Sequence, residues 1–291
     1  MTLPNFTPSE PPLPKRLTVL VFAITLGLGC VSSPAQTQQP PKETLKDSIR
    51  DRFFPAPQPV TIPTLEPPPA SYTFPTKQTL TYTVDWRVFT AAVASFQIEQ
   101  QGTTQKITAS VDTVGGVTML FPVIDRFQSS LDTKSGCSAG FSKQTQEGRR
   151  KISSDLTYKD GKQTLVERNL VKGTSKTLSA PIPACVMDSL SGIFYVGSQP
   201  LTVGQNFRFP LADSMRTVTV TMKVEAKEEI KTPAGTFQTV RVQPTADEGV
   251  VKNRGKIWIW YTDDARHMPV QVRASLFWGT ITARLQSYET K

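Results

Sequence analysis

The single imidazole of this chain, His267, sits in Asp263-Asp264-Ala265-Arg266-His267-Met268-Pro269, and a carboxyl and two hydroxyls cluster at Asp188, Ser189 and Ser191. A serine activated by a histidine, itself oriented by an aspartate, is the arrangement of ester and amide hydrolysis. The residue types are present, but no Gly-x-Ser-x-Gly turn lifts a serine over a sheet. The plainer reading of residues 263–269 is a turn between strands, opened by the paired aspartates and closed by Pro269. Asp85, Asp188, Asp263 and Asp264 are the carboxylates that fall in notable motifs, and two of them close together could run glycoside hydrolysis. Neighbouring strand residues point to opposite faces, so Asp263 and Asp264 do not form such a pair by adjacency. Turn capping and ion pairing with Arg266 or Arg126 is the competing reading. One histidine and three cysteines without a Cys-x-x-Cys spacing are a poor donor set for transition metals. No metal site and no cofactor are expected.

The cysteines speak of compartment instead. Lys15 and Arg16 precede a mostly apolar run from Leu17 to Gly29, and Cys30 follows. A basic pair and a short apolar stretch are the pattern of a secretory signal, and the stretch is too short to span a bilayer comfortably. Gly27-Leu28-Gly29-Cys30 resembles a bacterial lipobox, in which the cysteine is lipidated and becomes the new N-terminus. Cleavage after Ser33-Pro34-Ala35 is the alternative. With Cys30 lipidated, Cys137 and Cys185 remain as a candidate disulfide in an oxidising compartment. Two free buried thiols are the other reading.

Proline divides the chain. Sixteen of the 24 prolines lie in residues 1–75. Proline lacks a backbone donor and fixes φ, so this region is neither mostly helix nor central strand. Residues 31–71 read as an extended Pro-rich tether, with a short amphipathic helix over Glu43–Phe54 as an option. The expected division is signal and lipobox over residues 1–30, tether over 31–71 and one β domain over 72–291.

From Tyr72 the period changes to two. Leu80, Tyr82, Val84 and Trp86 alternate with polar neighbours, as do Val218, Val220, Met222 and Val224. Similar runs recur about every ten residues, separated by turn signals such as Lys159-Asp160-Gly161-Lys162. The expected fold is all-β: one antiparallel curved sheet, barrel-like or sandwich, with a single short helix within Cys185–Val196. Ile257 to Tyr261 is apolar on both faces, so Trp258 and Trp260, with Trp86, are the candidate wall for a lipid or glycan, core filling being the alternative. Phe277 and Trp278 are further large groups nearby in sequence.

The ordered set Tyr82-Thr83-Val84-Asp85-Trp86, Asp125-Arg126-Phe127, Glu147-Gly148-Arg149-Arg150, Asp188-Ser189-Leu190-Ser191, Pro233-Ala234-Gly235-Thr236-Phe237, Ile259 to Asp264 and Met268-Pro269-Val270 resembles the bacterial envelope family called domain of unknown function 3108. The likeness spans residues 72–289. It implies an exported all-β protein with a curved sheet or barrel, and it carries no catalytic residues.

The formal charge is +9, densest at Glu147–Lys151 and Lys252–Lys256. On an exported protein this favours anionic lipid, lipopolysaccharide or other acidic envelope polymers, with solvated hairpin tips as the bland alternative. No nucleic-acid motif is present. The expectation is therefore a non-catalytic periplasmic domain, held at the outer membrane by lipid on Cys30, that binds an amphipathic envelope component or a partner protein. The alternatives are an assembly factor working through protein contacts and a hydrolase of envelope glycans or esters.

Overall fold

A computed structural model describes residues 62–213, 215–246, 255–276 and 279–291. The signal, Cys30, the optional helix at 43–54, the basic residues 252 and 254, and Phe277 and Trp278 lie outside the described residues.

The period-two pattern becomes a single sheet. Its first eight strands are β1 (Lys77–Trp86), β2 (Phe89–Gln101), β3 (Thr104–Thr113), β4 (Val123–Asp132), β5 (Ser138–Glu147), β6 (Arg150–Lys159), β7 (Lys162–Asn169) and β8 (Thr174–Pro181). The next six are β9 (Asn206–Asp213), β10 (Arg216–Thr232), β11 (Gly235–Ala246), β12 (Lys256–Thr262), β13 (Pro269–Leu276) and β14 (Gly279–Thr290). Two short helices interrupt them, α1 (Gly115–Leu120) and α2 (Ser191–Ser198). The strand order runs from β8 down to β1 and then from β14 down to β9. Every neighbouring pair is antiparallel. The chain is thus two meanders joined where β14 returns beside β1, and β8 and β9 are left as edges.

Hairpin chemistry sets the register. At the β6–β7 turn, Asp160 has φ +52° and Gly161 φ +70°. Positive φ at both central residues is what a type I′ turn needs, and its twist matches that of the strands. The register then follows from burial. Leu80, Tyr82 and Val84 of β1 lie beside Ala94 and Ala92 of β2 and Leu285 and Ala283 of β14, all buried. A slip of one residue would turn this whole row to solvent.

The sheet curls until its second half faces its first. The segment between β8 and α2 bridges the gap: Ser138 N–H donates to Val186 O, Met187 N–H to Pro210 O and Ala212 N–H to Met187 O. Residues 186–188 therefore act as a filler between β5 and the β9 edge. The short helix expected within Cys185–Val196 is α2, which begins at Ser191 because the backbone before it is committed to these bridges. A disulfide joins Cys137 to Cys185, with Cα atoms 5.1 Å apart. It fixes the filler to the start of β5. Closing a loop of 48 residues stabilises by about 4 kcal/mol in the chain-entropy model.

Packing starts before the composition boundary at Tyr72. Leu65 is 5% exposed and belongs to the core cluster. Burying it contributes about 2 kcal/mol, which alone does not offset ordering ten residues at about 1–2 kcal/mol each. The prolines at 63, 67, 68, 69 and 75 already restrict the unfolded chain, and side chains of the domain reach out to the carbonyls of this strap, residues 62–76. Tyr195 Oη–H donates to Glu66 O (2.7 Å) and Gln105 Nε2–H to Pro75 O (3.0 Å).

Candidate ligand site

The strap of residues 62–76, helix α2 and the β12–β13 turn meet at one end of the curled sheet. Extended Pro-rich backbone makes no hydrogen bonds to itself, so it must find external partners. Besides the two donors above, Tyr72 Oη–H reaches Arg266 O at 3.3 Å, while one turn inside the strap is closed by Tyr72 N–H to Pro69 O. Burial pushes the Tyr72 phenol up to about 12.

Helix α2 is buried nearly all round. Its start is held by Asp188, which is 1% exposed. Asp188 Oδ1 accepts Leu190 N–H (2.8 Å) and Ser191 N–H (3.0 Å), satisfying donors that the first turn leaves orphaned. Oδ2 accepts hydroxyls from Ser129 (2.5 Å), Ser138 (2.5 Å) and Ser191 (2.9 Å). The carboxyl therefore ties β4, β5 and α2 together. Burial, with Asp188 nearby, also raises the Tyr158 phenol well above its ordinary value.

The other end of α2 is pinned to the β12–β13 turn. His267 has φ +39°, an uncommon conformation for a residue with a side chain, and its Nδ1–H donates to Gly197 O at 2.8 Å. A Cβ on Gly197 would stand 2.9 Å from His267 O, so only glycine permits this approach. Tyr261 Oη–H bonds Ile193 O (2.8 Å), and Tyr82 Oη–H bonds Pro269 O (2.6 Å).

Between these parts lies a cavity of about 280 Å³ lined by Tyr72, Phe74, Pro75, Phe194, Met268 and Pro269, with Gln78, Gln105, Arg266, His267 and Lys291. This is just below the ~300–1,000 Å³ usual for small-molecule sites. Most of its wall area is apolar, and Thr73, Thr76 and Thr290 add hydroxyls to these polar groups. Gln105 is 1% exposed, and its Oε1 has no hydrogen-bond partner. A buried acceptor left unmet costs about 1–3 kcal/mol, which a donor on a ligand would recover. His267 Nε2 is a second acceptor once Nδ1–H is given to Gly197. Arg266 is held by Asp264 through two contacts, 3.0 and 2.6 Å.

Ser191 and His267 are engaged at different places. Ser191 Oγ is bonded to Asp188 at the start of α2, and His267 holds Gly197 near its end. Ser191 and Gly197 are six helical steps apart, about 9 Å along the axis. Asp263 pairs with Lys227, Asp264 with Arg266, Asp85 with Arg284, and Arg126 with Asp112. The tryptophans lie elsewhere. Trp260 is buried and donates to Glu228 Oε2 at 3.1 Å, Trp258 packs against the core cluster, and Trp86 stacks near the Arg87 guanidinium at 5.9 Å. None of the three lines the strap cavity.

Sequence reasoning missed two groups. Asp125 and Glu147, on neighbouring strands, are 1% and 4% exposed. Burial, then the Glu147 charge, push the Asp125 carboxyl up to about 7, against a Gln146 N–H bond and the Lys143 and Arg126 charges. Paired carboxylates with split environments are a catalytic signature, yet neither residue borders the strap cavity or the second one. That second cavity, about 450 Å³, is an open trough on β2–β5 lined by Ser95, Gln97, Thr108, Ser110, Arg126, Gln128, Ser142 and Gln144. Its short side chains bond one another, as Ser95 and Ser110 do at 2.8 Å, and only Ala109 and Phe127 bring apolar surface to it. The smaller strap cavity is the better site.

The family model described as a protein of unknown function, DUF3108, matches residues 81–286. The chain belongs to the DUF3108 family. No curated protein matches it. A crystallised β-barrel-like protein of domain of unknown function DUF1849, from Brucella abortus, shares 9% identity with this DUF3108 chain. The alignment covers 75% of this chain and 99% of that one, with a TM-score of 0.50, and supports the barrel-like fold. A predicted lipoprotein of Parabacteroides distasonis gives 12% identity, 74% and 97% coverage and a TM-score of 0.29. A predicted exported protein of Bacteroides fragilis with a YmcC-like fold gives 8%, 78% and 98%, and 0.30. The match begins inside β1, so the strap that closes the cavity lies outside the family segment.

Proposed function

We propose that this DUF3108 protein is a non-catalytic cell-envelope protein whose barrel-like domain binds one end of an amphipathic envelope component beneath the strap. The carrying observation is the largely apolar cavity with the unpartnered Gln105 Oε1. Its occupant would present an apolar body to Phe74, Phe194 and Met268 and a hydroxyl or amide donor to Gln105 and His267. Native mass spectrometry of the gently purified protein tests this: a bound mass is expected, and a reproducibly empty protein contradicts it.

Export and lipidation at Cys30 belong to the same proposal. The Cys137–Cys185 disulfide fits an oxidising compartment. In cell fractionation, wild type is expected with the outer membrane and Cys30→Ser away from it. A soluble wild type beginning at Gln36 would contradict lipidation. A role through sheet-edge contacts has less support, since the β8 edge carries Lys176 and ends at Pro181, both features that blunt strand addition.

A further inference from the structure

The two ends of the curled sheet differ in chemistry. At the strap end the turns Gln100–Thr103, Asp132–Cys137 and Lys159–Lys162 present polar side chains and glycine. Ile62, Val203 and Tyr288 are the large apolar residues most exposed there, at 40%, 44% and 38%. The opposite end gathers the β1–β2 turn, α1 before β4, and the β7–β8 turn. In these connections Val88 is 85% exposed, Phe89 66%, Met119 88%, Leu120 78%, Leu170 57% and Val171 61%. Scattered exposed apolar residues are ordinary, but six at one end of one sheet are not. Helix α1 buries none of its residues. It gains no core contact from Met119 or Leu120, so packing does not explain them.

Among the described residues, the exposed charge in these connections is basic. Arg87, Arg149, Arg150, Lys151, Lys172 and Lys256 are exposed in or beside the same turns. The described acidic residues near them are buried or paired: Asp125, Glu147 and Asp213 are buried, Asp112 is paired with Arg126, and Asp85 with Arg284. Apolar tips with a basic surround fit a surface that is apolar inside and anionic at its face. A bilayer with acidic headgroups has that profile.

We propose that this end docks on an anionic lipid leaflet, with Phe89, Met119, Leu120 and Val171 entering the boundary between headgroups and acyl chains and Arg149 and Arg150 meeting the phosphates. The proposal is independent of the strap cavity. It adds a second membrane contact to any lipid on Cys30, at the far end of the domain from the strap.

The test uses residues 31–291, which hold every residue of the core cluster and no acyl chain. The protein is sedimented with vesicles of phosphatidylethanolamine and phosphatidylglycerol, and with vesicles of phosphatidylcholine alone. Wild type is expected to bind the first, less the second, and less in added salt. Phe89→Ser with Leu120→Ser should lower binding about tenfold or more. Arg149→Gln with Arg150→Gln should lower it about tenfold on the anionic vesicles and erase the preference over phosphatidylcholine. Lys134→Gln with Lys162→Gln, at the strap end, should leave binding unchanged. All these positions are exposed, and unchanged unfolding midpoints confirm the fold. Wild type that stays in the supernatant, or a Phe89/Leu120 variant that binds like wild type, overturns the proposal. Binding that appears only when the vesicles carry membrane protein overturns it in favour of a protein partner.

Discussion

Asp188→Ala should cost about 4–6 kcal/mol, a large part of the ~5–15 kcal/mol that holds a domain together. The substitution leaves two backbone N–H groups of α2 and three hydroxyls, from Ser129, Ser138 and Ser191, without their acceptor. Each buried donor left unmet costs about 1–3 kcal/mol, although the hydroxyls can rotate toward other acceptors. Asp188→Asn distinguishes the parts. Its Oδ1 still accepts both N–H groups, and its amide can donate to the serines, so a loss of about 1–2 kcal/mol is expected. Urea unfolding of both variants checks this. Equal losses would show that the hydroxyl cluster, not the helix cap, dominates. A loss under 1 kcal/mol for the alanine variant would contradict the role given to Asp188.

The second large effect depends on pH. Asp125 titrates near 7 in the fold and at 3.8 in the unfolded chain. Between these values the folded state holds a proton that the unfolded state has released. Stability therefore falls as pH rises from about 4 to about 7, by at most about 4 kcal/mol from this one group. Asp125→Asn keeps an acceptor for Gln146 N–H and cannot ionise. It should be more stable than wild type at about pH 8, by up to about 4 kcal/mol, and close to it at about pH 4. The checking measurement is the difference in urea midpoint between the two proteins across this range. A difference that does not grow with pH would show that Asp125 ionises freely.

The strands with one apolar face were legible in the alternation of Leu80–Trp86 and Val218–Val224. Three strands were not. In β5 the inward row is Phe141, Lys143, Thr145 and Glu147, so buried charge breaks the pattern. Strand β8 is exposed along nearly its whole length and carries no buried face. Strand β9 contains Pro210, which an edge strand tolerates and a central strand does not. The cavity was legible only in its parts. His267, Met268 and Pro269 were noticed as a turn, while Gln105 had no signal in the sequence. Its importance comes from a strap thirty residues upstream in the chain, whose Pro75 O takes one half of its amide and leaves the other bare. The tryptophans attracted attention by size, but β12 turns Trp260 to Glu228 rather than to the cavity.

The strap cavity is proposed to hold part of an amphipathic molecule. Native mass spectrometry of wild type and Gln105→Leu, each purified from membranes in the same mild detergent, tests it most directly. Wild type is expected to carry one bound species that is reduced about tenfold on Gln105→Leu, where its donor has lost the acceptor. A wild type without bound mass, or a species carried equally by both proteins, would contradict it.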